Sequence, residues 1–416
     1  MRRLIIIFSI VLVALIATPF IIRSIKTARI KAEYKEVLAT AKKKGLPTTW
    51  AEFENQGNHC LPKDNADVFY LELEEYKRTM RPDDRDLDSN LLFAPSSFQL
   101  LDTKRFLESN RDALQLIEKA TSRPHCQVLA DWSQGYALVT EEWALIKDAS
   151  LLLEIRACYR AQSGDVAGAL RDFDRLMVMA RHCDEDLGST GHYRALSIRI
   201  RTLKNVASLV VRGNPKPTFR AFLIKLVDQF PDFDPQKVFR MELVSMLDLI
   251  DKCNTPEGRK KLGIPESELK GLIGKLLKVA QSEDQARLRI AKGMLAYWEA
   301  LSLPVDQMDE QCNKAQNEYL EGLVSFPYAA NIYSMISSSP SPSSSMRLTI
   351  AYKQILKALI QTTATPSLPK MYKTDYLTDP WLHVPLKYLN DGKHLLISAG
   401  EPGSKENGAE LNIPLR

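Results

Sequence analysis

The sequence predicts a mainly α protein, with an N-terminal transmembrane helix, an irregular helical body and a small C-terminal β-hairpin element. Three observations carry that prediction. The run Leu4 to Ile22 has nineteen residues without a charge. Apolar residues recur at spacings of three and four through most of the chain that follows, as one buried face of a helix requires. Near the C-terminus two short apolar runs flank Asn390-Asp391-Gly392, and Asp-Gly between such runs is a tight-hairpin signal.

At about 1.5 Å rise per residue, the first run is just long enough to cross a hydrocarbon core of ~30 Å. It is too long for the apolar core of a cleaved signal peptide and ends in no clear cleavage site, so an uncleaved anchor is expected over residues 1–23. Arg2 and Arg3 precede it, and Arg23, Lys26, Arg29, Lys31 and Lys35 follow. The charges after the run do not favour an external body. The short basic tail resembles an export signal, and on that ground the body is placed outside the cytoplasm.

The remainder exceeds what one core usually organises, so two or three subdomains are expected. The chain carries 56 Lys plus Arg against 51 Asp plus Glu, with signs interspersed. This is no footprint for nucleic acid. Six cysteines at 60, 126, 158, 183, 253 and 312 include no C-x-x-C pair, so buried thiols and at most two disulfides are expected.

The expected divisions are an N-terminal helical region over 24–140, a helical body over 141–336, a Ser/Pro linker over 337–345 and a C-terminal helix with β tail over 346–416. Tyr34, Val37, Leu38 and Ala41 mark a helix continuing from the anchor, stopped by Gly45-Leu46-Pro47. Ala66, Phe69, Tyr70, Leu73 and Tyr76 define a face of a second helix over Asn65 to Met80. The most regular stretch is Glu141 to Ala180, two helices broken at Ser163-Gly164-Asp165 that must pack antiparallel, a TPR-like unit. Further helices are expected over Tyr193 to Val211, Phe219 to Gln229, Pro235 to Asp251, Ser267 to Ala280, Gln285 to Leu301, Val305 to Leu323 and Arg347 to Gln361. Prolines 215, 217, 231, 235, 256, 265 and 304 punctuate them.

Candidate chemistry is sparse. His59-Cys60, His125-Cys126 and His182-Cys183 offer metal-ligand types, and the last opens a loop running through Asp184-Glu185-Asp186 to His192. Adjacent residues on a helix diverge by about 100°, so a dipeptide does not easily direct both side chains at one ion. Glu141-Glu142 diverges likewise, and Gly271 to Lys275 lacks P-loop spacing. No catalytic, cofactor-binding or metal residue is assigned, and the sequence favours a non-enzymatic role. Trp132, Tyr136, Trp143 and Trp298 sit at amphipathic positions and are expected in the core.

The C-terminal residues Asp379-Pro380-Trp381, Pro385-Leu386-Lys387-Tyr388 and Leu396-Ile397-Ser398-Ala399-Gly400 resemble the tail of type II secretion pseudopilins. That tail also occurs in uncharacterised families of signal-anchored bacterial envelope proteins. Asn65 to Tyr70, Asp131-Trp132 and Gly164-Asp165 with Ala169 to Asp172 are similar to recurrent features of the second group. The anchor, the repeat-like helix pair and the lack of a catalytic signature together point to a single-pass protein of the cell inner membrane, its body facing the periplasm, acting as a scaffold or interaction protein on an envelope protein partner. A pseudopilin-related assembly component and a metal-dependent hydrolase are the alternatives. The pseudopilin Gly-Phe-Thr-Leu-x-Glu signature is missing, and Glu401, Glu406 and Glu410 follow Gly400 without an Asp, so no calcium is expected.

Overall fold

The computed structural model describes residues 2–57, 60–80, 97–128, 132, 141–212, 216–253, 255–261, 283–324, 342–362, 386–390, 394–400 and 408–414. In chain order the helices are α1 (Arg2–Lys43), α2 (Trp50–Glu54), α3 (Asp67–Glu72), α4 (Lys77–Met80), α5 (Ser97–Ser109), α6 (Arg111–Thr121), α7 (Glu141–Gln162) and α8 (Val166–Asp184). There follow α9 (Ser189–Arg212), α10 (Lys216–Asp228), α11 (Pro235–Phe239), α12 (Glu242–Cys253), α13 (Pro256–Lys261), α14 (Glu283–Ala300), α15 (Val305–Val324) and α16 (Pro342–Thr362). The strands are β1 (Lys387–Asn390), β2 (His394–Gly400) and β3 (Gly408–Pro414). The chain is therefore mainly helical with a small antiparallel sheet at its end, as its periodicity predicts.

The chain divides into two compact units. The first comprises Met1–Phe53, Ser133–Ala137 and Arg240–Ser339. Here α1 and α12 both pack on α14, and α14 packs on α15. Ala41 and Leu46 share an apolar cluster with Leu243, Met246, Ile250, Ile290 and Trp298, and Tyr34, Val37 and Leu38 pack against it. This is the 3–4 spaced stripe that the sequence predicts for the C-terminal part of α1. The helix stops where Gly45 takes φ 83°, which lets the Leu46 amide return to the Ala41 carbonyl at 3.0 Å. Trp298 Nε1 donates to the Lys44 carbonyl at 3.2 Å and so ties this helix end to α14.

The backbone of α1 is helical through the whole of Leu4–Ile22. Among the described residues no helix is long and apolar enough to cross a membrane; the side chains of 1–17 lie outside that description. The anchor therefore rests on the sequence.

The second unit comprises Glu54–Trp132, Leu138–Phe239 and Pro340–Arg416. Its spine is the succession α7, α8, α9, α10, each packed on the next. The α7–α8 hairpin forms where the sequence breaks: Gly164 takes φ 84°, and the Asp165 carboxylate accepts the Gly168 amide at 2.9 Å, capping α8. Ala169, Phe173, Leu176 and Ala180 are all fully buried, as their spacing predicts. Trp132 and Trp143 are buried as well.

Beyond the spine, α16 packs on α10 and carries the sheet through β2 and β3. The β1–β2 hairpin expected around Asp391-Gly392 is present, with Leu389 opposite Leu396. A third strand, β3, extends it: Leu395, Ile397 and Ala399 pair with Ile413, Leu411 and Ala409, and all six side chains are buried. Direct cross-strand apolar pairs of this kind hold the register.

Four expectations differ from the structure. The helix expected from Asn65 to Met80 is α3, a 3₁₀ stretch Leu73–Tyr76, and α4. The tighter winding, three residues per turn, keeps Tyr70, Leu73 and Tyr76 in line against the core. The helix expected from Pro235 to Asp251 is two helices, α11 and α12, assigned to different units. The Ser/Pro linker ends early, because Pro342 starts α16 and Ser345 is buried; residues 337–341 lie outside the described residues. Helices α5 and α6 fall in the expected helical region 24–140, but their separate bounds were not predicted.

Replacing Gly164 by Ala leaves no steric clash, since nothing lies within 4 Å of the added carbon. The positive φ alone should then cost about 1–2 kcal/mol, read as a lower thermal midpoint with an unchanged circular dichroism spectrum.

Candidate functional site

Two places in the second unit gather polar chemistry in a buried or half-buried setting. The first surrounds the end of α8. His182 is fully buried, with Nε2 3.0 Å from the Arg123 carbonyl and Nδ1 3.0 Å from the Tyr70 hydroxyl. A carbonyl only accepts, so Nε2 carries the proton and Nδ1 accepts from Tyr70. The imidazole is neutral, and burial lowers its pKa to about 4. Arg123 is itself held by a guanidinium–ring contact to Phe69 at 5.3 Å and a hydrogen bond to the Lys63 carbonyl at 2.6 Å.

Alongside, residues 60–66 pair with residues 123–127. The Asn65 side chain donates to the Gln127 carbonyl and accepts from the Gln127 amide, each at 2.9 Å. Glu185 accepts from the Cys126 amide at 2.9 Å and meets His125 Nδ1 at 3.2 Å. Two of the three His-Cys dipeptides thus come together, but as a structural clasp. His182 is spent on Tyr70 and Arg123. His192 faces Asp184 at 3.7 Å, and Arg199 pairs with the same carboxylate. Burial by itself would raise the Asp184 pKa, but its contacts with His192 and Arg199 outweigh that and lower it.

Burial pushes the thiols of Cys126 and Cys183 far above the usual cysteine range, raises that of Cys60, and takes that of Cys312 to about 11. A protonated thiol is a poor nucleophile and a poor metal ligand. Among the described residues no three His, Cys, Asp or Glu side chains are grouped to hold a metal ion, and none of these cysteines forms a disulfide. His59, Tyr136, Asp131 and Gly271 to Lys275 lie outside the described residues.

The second place is a groove of about 360 Å³ bounded by α5, α6 and α7. Its floor is set by Asp172 on α8, which is fully buried and accepts from three arginines. Arg156 binds it bidentately, Nε at 2.9 Å and Nη2 at 2.7 Å; Arg160 donates at 2.8 Å and Arg175 at 3.0 Å. Glu118 of α6 joins the network, 2.9 Å from Arg156 and 3.0 Å from Arg175. The positions reflect the hairpin: residues 156 and 172 are equidistant from Gly164, so antiparallel packing brings them face to face. Leu107, Leu114 and Tyr159 supply the apolar lining, and Lys104 and Arg111 the open rim.

Comparison with family models, with curated proteins and with solved structures found no match.

The groove was not legible as a site, since α5 and α6 supply two of its walls. The signal that could have found it is the repeated Arg at 156, 160 and 175 around one Asp, together with the stripe Ala113, Leu114, Ile117 and Ala120 on α6.

Two outcomes are expected. Asp172→Ala strands Arg156 without its buried carboxylate and should destabilise the protein by about 3–5 kcal/mol, measurable by chemical denaturation. The folded pKa of His182 lies below its unfolded value, so the unfolded chain binds the extra proton. Stability is therefore full above pH ~6.5 and declines as pH falls toward about 4. A His182→Gln variant should show a flatter decline of thermal midpoint over that window.

Proposed function

We propose that this chain is a single-pass membrane protein of the bacterial envelope, anchored in the inner membrane by residues 4–22, whose periplasmic helical body binds another protein. The observation that carries the reading is the groove of about 360 Å³ walled by three helices and fixed from beneath by the Asp172 network. A site on rigid helices with both apolar and charged lining suits recognition of a peptide or helix. The stacked hairpins α7 to α10 support the same reading, because successive TPR-like helix pairs generate extended binding surfaces.

The pseudopilin-related alternative keeps the C-terminal resemblance in its favour, but it needs the N-terminal helix and the C-terminal hairpin to pack together as one body. Those elements belong to different units, and the sheet packs on α16 instead. The hydrolase alternative draws on His182 and His192, whose described contacts are with Tyr70, Arg123 and Asp184.

The test is crosslinking of the full chain in cells, followed by membrane extraction and affinity capture, beside protease digestion of intact spheroplasts. The expected outcome is resistance to alkaline extraction, digestion of the body from the periplasmic side, and a discrete set of envelope partners. Extraction as a soluble protein, or protection of the body, would overturn the anchor and its orientation. Capture of no specific protein would overturn the interaction role.

A further inference from the structure

The groove's chemistry narrows the partner class, an inference that rests on the interaction role just proposed. Four cations line it, Lys104, Arg111, Arg156 and Arg160, against two carboxylates, Glu108 and Glu118. Those carboxylates do not cancel the cations equally. Glu118 is held by Arg156 and by Arg175 from outside the groove, while Arg156 and Arg160 are pinned on Asp172. Glu108 is two-thirds exposed and only 3.8 Å from Lys104, the loose geometry of a surface pair that contributes little.

Arg111 is different. It is exposed, and among the described residues it makes no ion pair. It is also the first residue of α6, whose N-cap Asn110 makes no side-chain hydrogen bond to the helix amides. The positive end of the helix dipole therefore adds to the Arg111 charge. Asn110 is 1% exposed and its Oδ1 has no hydrogen-bond partner, so this helix start is built into the core rather than satisfied by a local cap. Between the cationic rim and the pinned arginines lie Leu107, Leu114 and half-buried Tyr159.

We propose that this groove binds an acidic peptide segment of a partner protein, its carboxylates meeting Arg111 and Lys104 and an apolar side chain lying against Leu107, Leu114 and Tyr159. Arg156 and Arg160, already paired with Asp172, Glu118 and Asp165, form a fixed wall that needs no rearrangement on binding, and the unpaired positive charge comes from the rim. The mixed lining disfavours a nucleic-acid strand, whose phosphates would meet Glu108 and Glu118 as well as the cations.

The test uses the full chain in lipid nanodiscs and fluorescence anisotropy with three probes: a labelled Glu/Asp-rich dodecapeptide carrying one Leu-Phe pair, its Gln/Asn counterpart, and a single-stranded oligonucleotide. Saturable binding of the acidic peptide is expected, weakening as ionic strength rises past ~0.15 M, where the screening length is ~8 Å. The Gln/Asn peptide should bind at least about tenfold more weakly, and Lys104→Glu with Arg111→Glu should cost about tenfold. Lys357→Glu, an exposed lysine on α16, should change nothing. Both rim residues are exposed, and an unchanged thermal midpoint verifies that the double variant folds. Equal binding of the acidic peptide to the double variant and the parent would overturn the proposal, as would tighter binding of the oligonucleotide. If cellular partners are still captured by the double variant, the groove assignment falls and the interaction role stands.

Discussion

The second unit is organised around one buried carboxylate. Asp172 has no access to solvent, and a lone charge in that position would cost several kcal/mol. Three guanidinium groups satisfy it, two from α7 and one from its own helix. Arg156 in turn bridges to Glu118, so the same cluster that locks the α7–α8 hairpin also fixes α6 against it. The apolar contacts of Ala169, Phe173 and Leu176 supply the bulk of the burial. They do not select a register between two helices as a bidentate Arg–Asp pair does. The groove inherits its shape from this arrangement, because its inner wall is the solvent-side edge of the network.

The clasp at the end of α8 does a comparable job with neutral groups. Tyr70, His182 and the Arg123 carbonyl form a chain of hydrogen bonds in which each donor meets one acceptor. It links two helices and a loop that lie 53 to 112 positions apart in the sequence. Asn65 extends the link by presenting an amide to the Gln127 backbone as a neighbouring strand would. His182, Asp184 and Glu185, which a metal reading would recruit, are thus already engaged by other parts of the chain, and the raised thiol pKa values follow from the same burial.

Local periodicity made the helices of the spine, the Gly164 turn and the buried faces of α1, α8 and α3 legible before any coordinates, since each depends on spacing within one element. The β1–β2 turn was legible for the same reason. The third strand follows the rule too, with Ala409, Leu411 and Ile413 alternating inward, but the run is short and rich in small and polar residues, which weakens the signal. What was hidden depends on contacts between distant segments. Neither the partners of Asp172 nor those of His182 have a spacing rule, and Pro235 to Asp251 reads as one helix although its halves join different units. The groove likewise depends on distant segments: two helices from one part of the chain, and an arginine pair from the next.

The path of the chain through its two units has a kinetic consequence during synthesis. The last stretch of the second unit, Pro340–Arg416, is separated from the two before it by Arg240–Ser339, which belong to the first. After α9 and α10 leave the ribosome, roughly 100 more residues must be translated before α16 and the sheet can cover them, a delay of ~5–20 s at ~5–20 residues per second. During that interval the sides of α9 and α10 that await α16 remain wetted. Completion of this body thus waits on the synthesis of Pro340–Arg416, and a chain halted after residue 339 would leave an apolar wound that invites chaperones or proteases.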